Sequence, residues 1–413
     1  MTLPSSELPS PELVSPALPA SEIAALRPRY LTLLCYGAMM CLAIGINLVP
    51  VLLTQFGRDL GGPAGLTQEQ LGRLGASAFA GLVLGILITG PLADRWGGKI
   101  FTLLGLGVVA VSLIGLASSH TYLTAGIAIF MLGLGAGQID MVLSPVVSAL
   151  NPERRASAMN WLHSFYCVGA VVTVLAGTTA LWLGVSWRIA CLIQVPLPIL
   201  LMVLFAPLRF PPMVSDGGRM PFRDLLRQRW FMFALAAIFL GGATELGMAQ
   251  WLPAYAETAL GYPAWIGGAG LLAFSLAMTA GRMVVGALAS RWNPFHLMAW
   301  SCASSVLLFL AASFVPNPAI ALTCCILAGF TGSCLWPTTL AVTADRYPDG
   351  GASMFGALAA LGNAGGILMP WLVGWIADHH NLHWGLAVSA LAPLAMTPLV
   401  LWLGSRNLLQ TAR

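Results

Sequence analysis

Charge is scarce in this sequence. Of 413 residues, 19 are Lys or Arg and 15 are Asp or Glu, so 8% of the chain is charged against 58% apolar. Soluble domains carry about 25% charged residues. A water-facing surface cannot be assembled from so few, and the solvent for most of the chain is therefore lipid. The net charge of +4, spread over membrane loops, carries no message about nucleic acid, and no nucleic-acid partner is expected.

Other absences narrow the reading. Residues 1–28 lack a basic start leading into an apolar stretch, so they are not a secretory signal. They are rich in Pro and Ser, hold Glu7, Glu12 and Glu22, and read as a mobile polar tail. All eight cysteines fall inside apolar runs, where Cys packs as a small hydrophobe and not as a disulfide framework. No paired catalytic acids, metal-ligand set or nucleophile motif appears, so no enzyme activity and no cofactor are expected. Gly133-x-Gly-x-Gly137 resembles a dinucleotide loop only superficially: it lies within an apolar span with no preceding strand, where small residues serve close packing. Asp378-His379-His380-Asn381-Leu382-His383 is dense in ligand types, yet no second cluster completes a metal site.

What is present is a series of long apolar runs. No charge interrupts residues 30–57 or 100–139, and about 20 apolar residues suffice to cross a bilayer. Dividing at charges, Pro/Gly clusters and polar breaks predicts twelve spans. The first six cover 30–54, 74–93, 100–118, 122–148, 157–182 and 188–208. The second six cover 230–256, 264–288, 295–314, 319–343, 352–377 and 384–405. The fold class is an all-α membrane protein with twelve transmembrane helices in two six-helix bundles, at 29–208 and 230–406. A disordered tail (1–28), a linker with five arginines (209–229) and a short tail (407–413) lie outside them. With both termini inside, sixteen basic residues fall on the inner side and only Arg58, Arg73 and Arg188 on the outer. The positive-inside rule thus places both termini in the cytoplasm, across a cell inner membrane.

The halves repeat. Gly90-Pro-Leu-Ala-Asp94-Arg95-Trp96 returns 196 residues later as Gly286-Ala-Leu-Ala-Ser290-Arg291-Trp292. At the same offset Ala156-Ser157 meets Ala352-Ser353, Gly133 meets Gly329 and Gly169 meets Gly365. Paired six-helix repeats are a transporter architecture, with the solute site near mid-membrane between the halves.

The stretch from Gly90 to Lys99 resembles the span 2–3 loop signature of the major facilitator superfamily: a glycine, an acid, then basic residues around a second glycine. The resemblance implies a gate there, formed by Gly90, Asp94 and Arg95, with Arg291 its counterpart in the second half. Within that superfamily the chain looks most like the fucose permease branch of sugar–proton symporters. The residues that carry this likeness are Gly133 to Gly137 through Asp140 on span 4, Asn160-Trp-Leu-His163-Ser-Phe165 to Gly169 on span 5, and Glu245 with Trp251-Leu-Pro253 on span 7. The fucose permease pattern has a carboxylate on span 1 as well as on span 4; here span 1 has no acid, and Asn47 is its most polar central residue. The proline-containing glycine motif of many drug antiporters is missing from Gly169 to Gly177, which argues against that branch.

Ionisable groups inside a membrane are expensive, and they mark function or a helix–helix contact. Asp140, for which desolvation favours the neutral acid, and Glu245 are the candidate proton-coupling residues. Candidate solute contacts are Asn47, Asn160, His163, Glu245, Trp251, Trp336 and Asn363. Asn160, His163, Ser164 and Cys167 share one helical face. Ser275, Thr279 and Arg282 share another on span 8. Because Arg282 lies about 27 Å along its span at 1.5 Å per residue, it is expected near the cytoplasmic end, with its head snorkelling to water. Pointed into the cavity instead, it would favour a carboxylate. Trp187, Trp265, Trp292 and Trp384 fall at span ends, as interfacial anchors do.

The reading is a monomeric secondary transporter working by alternating access, taking up a small polar solute, most consistently a monosaccharide, with a proton. A carboxylate carrier or exporter of the same fold is the nearest alternative, and a non-transporting membrane solute sensor is the alternative of another class.

Overall fold

A computed structural model describes residues 27–151, 155–211, 222–289 and 292–411. Of the expected features, the tail at 1–26, part of the linker and Arg291 lie outside the described residues, as do the side chains of Asp94 and Asn160. The described residues contain helices and no strands.

Twelve helices are long and apolar enough to cross a membrane. In the first bundle they are α1 (Pro28–Leu60), α2 (Gln68–Trp96), α3 (Gly98–Ala117), α4 (Tyr122–Leu150), α5 (Arg155–Trp182) and α6 (Trp187–Phe205). In the second they are α7 (Arg229–Thr258), α8 (Ala264–Ala289), α9 (Pro294–Phe314), α10 (Pro318–Arg346), α11 (Gly351–His379) and α12 (Leu382–Arg406). Side-chain caps fix several starts. Thr67 and Gln70 form a capping box on α2, and Thr121 and Thr124 one on α4. Asn293 and Asn317 accept the first free amides of α9 and α10. Each cap satisfies donors that the first helical turn leaves open.

Two expected boundaries were short. α1 runs on to Leu60 and α2 begins at Gln68, because the charges there find partners of opposite sign. Arg73 pairs with Glu69 one turn away, at 2.6 Å, and Arg58 pairs with Glu257. α6 and α12 are each interrupted, after Leu192 and after Val388. These breaks also lie 196 residues apart.

The repeat extends to individual contacts. Gly133 of α4 lets the Ala78 carbonyl of α2 approach; 196 residues on, Gly329 of α10 does the same for the Phe274 carbonyl of α8. Gly85 against Leu134 is matched by Gly281 against Phe330, and Gly169 against Ala43 by Gly365 against Phe239. At the helix ends, Trp187 Nε1 donates to Asp59 at 2.6 Å, and His383 Nδ1 bonds the Tyr255 hydroxyl at 2.8 Å. Two pseudo-symmetric bundles are therefore built from one set of crossings. Gly133, Gly135 and Gly137 pack against α2 and α3, which is why the motif resembling a dinucleotide loop is glycine-rich. Gly242 on α7 likewise admits the Gly362 carbonyl of α11.

These glycines make a testable set. Gly133→Ala and Gly329→Ala should each destabilise the detergent-solubilised protein by about 1–3 kcal/mol through overpacking. Gly356→Ala on α11, where an added methyl meets nothing within 4 Å, should be neutral or slightly stabilising, since Ala is the better helix former. Fluorescence-detected melting separates the two groups; equal losses at all three positions would contradict the packing account.

Candidate functional site

Between the bundles lies a narrow cavity of about 40 Å³, room for roughly three waters at about 10–15 Å³ each. α1, α5, α7 and α8 supply its walls. Asn47, Tyr166, Cys167, Glu245, Gln250, Ser275 and Thr279 provide polarity, and Pro50, Leu271 and Phe274 provide apolar surface. Asn47 Nδ2 donates to the Ala43 carbonyl at 2.9 Å and to the Tyr166 hydroxyl at 3.4 Å, joining α1 to α5.

The expected snorkelling of Arg282 is not what is found. Its Nη2 lies 3.5 Å from Glu245 Oε2, and its Nε donates to the Ser333 carbonyl of α10 at 3.3 Å. The side chains are 36% and 17% exposed respectively. The guanidinium turns back along α8, passing the Met278 sulfur at 3.7 Å, towards the opposite charge of Glu245 on the adjacent α7. His163, Tyr166 and Cys167 of α5 all lie within electrostatic reach of it.

The remaining candidates are scattered. Asp140 is half-buried on α4 and makes no hydrogen bond or ion pair to any described residue. His163 is exposed on the face of α5 that continues from Cys167 towards the termini. Trp251 is fully buried, with its indole N–H on the Pro370 carbonyl at 2.9 Å. Trp336 packs on Gly362 and Gly242, and Asn363 donates to Ala359 at 3.0 Å. Trp251, Trp336 and Asn363 are not among the residues lining the cavity. Gly90 faces the Met141 side chain of α4, and Arg95 is exposed. Of the belt tryptophans, Trp265, Trp292 and Trp384 are exposed, but Trp187 is 3% exposed and held by Asp59. Tyr166 and Gln250 went unnoticed in the sequence. Tyr166 falls within the aromatic-rich run that ends at Cys167, its partner Asn47 is 119 residues away in sequence, and no local pattern marks it.

Away from the termini the bundles are latched together. Thr54 of α1 donates to Glu257 of α7 at 2.6 Å, and Arg58 pairs with the same carboxylate. Both oxygens of Asp378, on α11, accept the free amides of Gln68 and Glu69 at 2.7 Å, capping α2 from the opposite bundle. Trp371 Nε1 donates to Glu69 at 3.1 Å. In the neighbouring His-rich run, His379 bonds the Trp375 carbonyl and His383 bonds Tyr255, so these side chains serve separate contacts. The Gln250 amide adds a bond to the Ile46 carbonyl at mid-membrane, while the contacts of Glu257, Asp378 and Trp371 all lie on this far side. Such a molecule is closed on the far side.

Two bundles related by an internal repeat, with a polar cavity between them, are the architecture of a membrane transporter. The sequence profile of the Major Facilitator Superfamily matches residues 34–350, and the chain belongs to that superfamily. It is similar to the probable nitrate/nitrite transporter NarK2 of Mycobacterium tuberculosis, at 29% identity over 80% of this chain and 85% of that one. Similarity extends to a gentisate transporter of Corynebacterium glutamicum (28%; 79% and 76%) and to the multidrug resistance protein MdtL of Shewanella oneidensis (27%; 68% and 71%). Among solved structures, a bacterial homologue of the human lysosomal transporter Spinster, inward-facing and occupied, superposes with TM-score 0.75 at 13% identity, over 92% of this chain and 97% of that one. FucP in its outward conformation gives 0.64 at 20% identity, over 90% and 98%. The likeness to fucose permease is thus one of structure.

Proposed function

We propose that this protein carries a small carboxylate across the membrane by alternating access, together with a proton, and that the sugar assignment takes second place. The observation behind this is the guanidinium of Arg282 held against Glu245, which lines the inter-bundle cavity; a cation in low dielectric favours an anion and can bind a carboxylate through two parallel hydrogen bonds. The names of NarK2, a probable nitrate/nitrite transporter, and of the gentisate transporter both specify anions and support the same choice. Leu271, Phe274 and Pro50 would cover the apolar part of the solute.

Two intramembrane acids, Glu245 on the cavity and Asp140 on α4, can carry the proton. The asymmetry of basic residues supports termini in the cytoplasm; on that reading the latched side faces out and the carrier rests inward. The bundles at 29–208 and 230–406 would rock about the cavity, with the loop at Gly90, Asp94, Arg95 and its counterpart at Arg291 gating the inner side of a bacterial inner membrane. Because the cavity measures only about 40 Å³, solute entry requires the bundles to part. A monosaccharide remains the second reading, favoured by the Asn47–Tyr166–Gln250 set of neutral donors and acceptors and by the fold shared with FucP.

Purified protein in liposomes with an inward proton gradient decides between them. Labelled benzoate or lactate should accumulate and be competed by other carboxylates but not by fucose. Fucose accumulation without carboxylate uptake would install the sugar reading, and binding without any flux would indicate a sensor.

A further inference from the structure

We infer that Glu245 and a singly charged substrate carboxylate exchange places on the Arg282 guanidinium, so that each anion crosses with one proton and without net charge; this rests on the carboxylate reading above. Arg282 and Glu245 pair at 3.5 Å, and the two charges cancel. An anion that entered with this pair intact would leave one uncompensated negative charge in a partly buried cavity, which low dielectric opposes. A proton on Glu245 removes that obstacle. The carboxylate becomes a neutral acid, its ion pair with Arg282 breaks, and the substrate carboxylate forms the new ion pair. Empty and loaded cavities then carry the same net charge, zero, and both can pass through the closed intermediate of alternating access. Protonation alone would strand a positive charge, and anion binding alone a negative one. Either half-loaded carrier is held back, which is the requirement for coupling. A dianion would leave one charge over, so a monocarboxylate is the class that fits.

The surroundings of Glu245 make the exchange its own. Besides Arg282 on α8, the charged or titratable groups near it are Tyr166 and Cys167 on α5, while His163 of α5 faces Arg282. α1 brings the neutral Asn47, and α10, α11 and α12 bring no acid or base to the cavity lining. Ser333 and Met278 hold the guanidinium from its other edges, through the Ser333 carbonyl at 3.3 Å and the Met278 sulfur at 3.7 Å. These contacts keep Arg282 in place while its anionic partner changes.

Linkage states the test: if one proton is taken up with each anion, the two affinities depend on each other by the same factor. Binding of benzoate to the purified full-length protein should weaken about tenfold per pH unit between roughly pH 6 and 8, a range in which benzoate itself stays ionised. In Glu245→Gln, a neutral isostere of the protonated acid, benzoate should bind at every pH as tightly as it binds wild type at the acid end, and proton-driven accumulation should vanish while benzoate–benzoate exchange persists. Glu245→Asp should keep the pH slope, and the melting temperatures of both variants report that they are folded. If wild type binds fucose and neither benzoate nor lactate, the carboxylate reading itself is overturned. If wild type binds benzoate with no pH dependence, or if the slope survives in Glu245→Gln but disappears in Asp140→Asn, the exchange is overturned and the carboxylate carrier stands.

Discussion

Arg282→Gln should weaken carboxylate binding by about 100-fold or more, as expected for removing one member of a hydrogen-bonded charge pair worth about 3 kcal/mol. The same change leaves Glu245 in the cavity with no cation beside it. Removing one partner of a buried pair costs about 3–5 kcal/mol of stability; with Arg282 about one-third exposed, solvent screening puts the loss at or below the low end. The double variant Arg282→Gln/Glu245→Gln separates the two effects, since no lone charge remains. Its melting temperature should return towards wild type while binding stays lost. Arg282→Lys keeps the charge but not the planar fork, and should bind about tenfold more weakly than wild type. A sugar carrier would behave differently: both Arg282 variants would retain most of their solute affinity, as titration calorimetry would reveal.

Asp378→Ala should open the far side. Its carboxylate is the only cap that one bundle places on a helix of the other among the described residues, through two amide hydrogen bonds at 2.7 Å. Hydrogen bonds to a charged group contribute about 1.5–3 kcal/mol each, and the positive end of α2 adds about 0.3–1 kcal/mol. Water and the Thr67–Gln70 box recover part of this once the bundles separate. A net loss of about 3 kcal/mol would shift the conformational equilibrium roughly 100-fold towards the far-side-open state. Spin labels at the exposed Ala64 and His380 should then show a long-distance population that is minor in wild type. An unchanged distance distribution would mean that the latch rests on the Glu257 contacts with Thr54 and Arg58 instead.

The parts of this molecule legible in the sequence are those set by composition and period. Twelve spans, the 196-residue repeat and close-packed glycines such as Gly133 follow from how lipid solvates a chain. Long-range geometry is what stayed hidden. Distance along α8 alone puts Arg282 near water, but its partner Glu245 on α7 lies 37 residues away in sequence and nothing local links them. Trp187 looked like an interfacial anchor by position, yet Asp59 of another helix draws it inward. Asp378 sat in a run that suggested metal ligands, and its partners, the amides of Gln68 and Glu69, are more than 300 residues distant. Arg58 marks an early end to α1 in the sequence for the same reason, since its partner Glu257 lies 199 residues away.

Cys167 offers the most direct view of the cavity. It lines the space beside Glu245 and within reach of Arg282, whereas six of the other seven cysteines are buried and Cys324 lies outside the cavity lining. The rate at which a small thiol reagent modifies Cys167, read by mass spectrometry with and without benzoate or fucose, tests whether this cavity takes an anion. The account predicts that benzoate slows modification of Cys167, more so at acid pH and not in Arg282→Gln, while fucose leaves it unchanged. Protection by fucose and none by benzoate would contradict it.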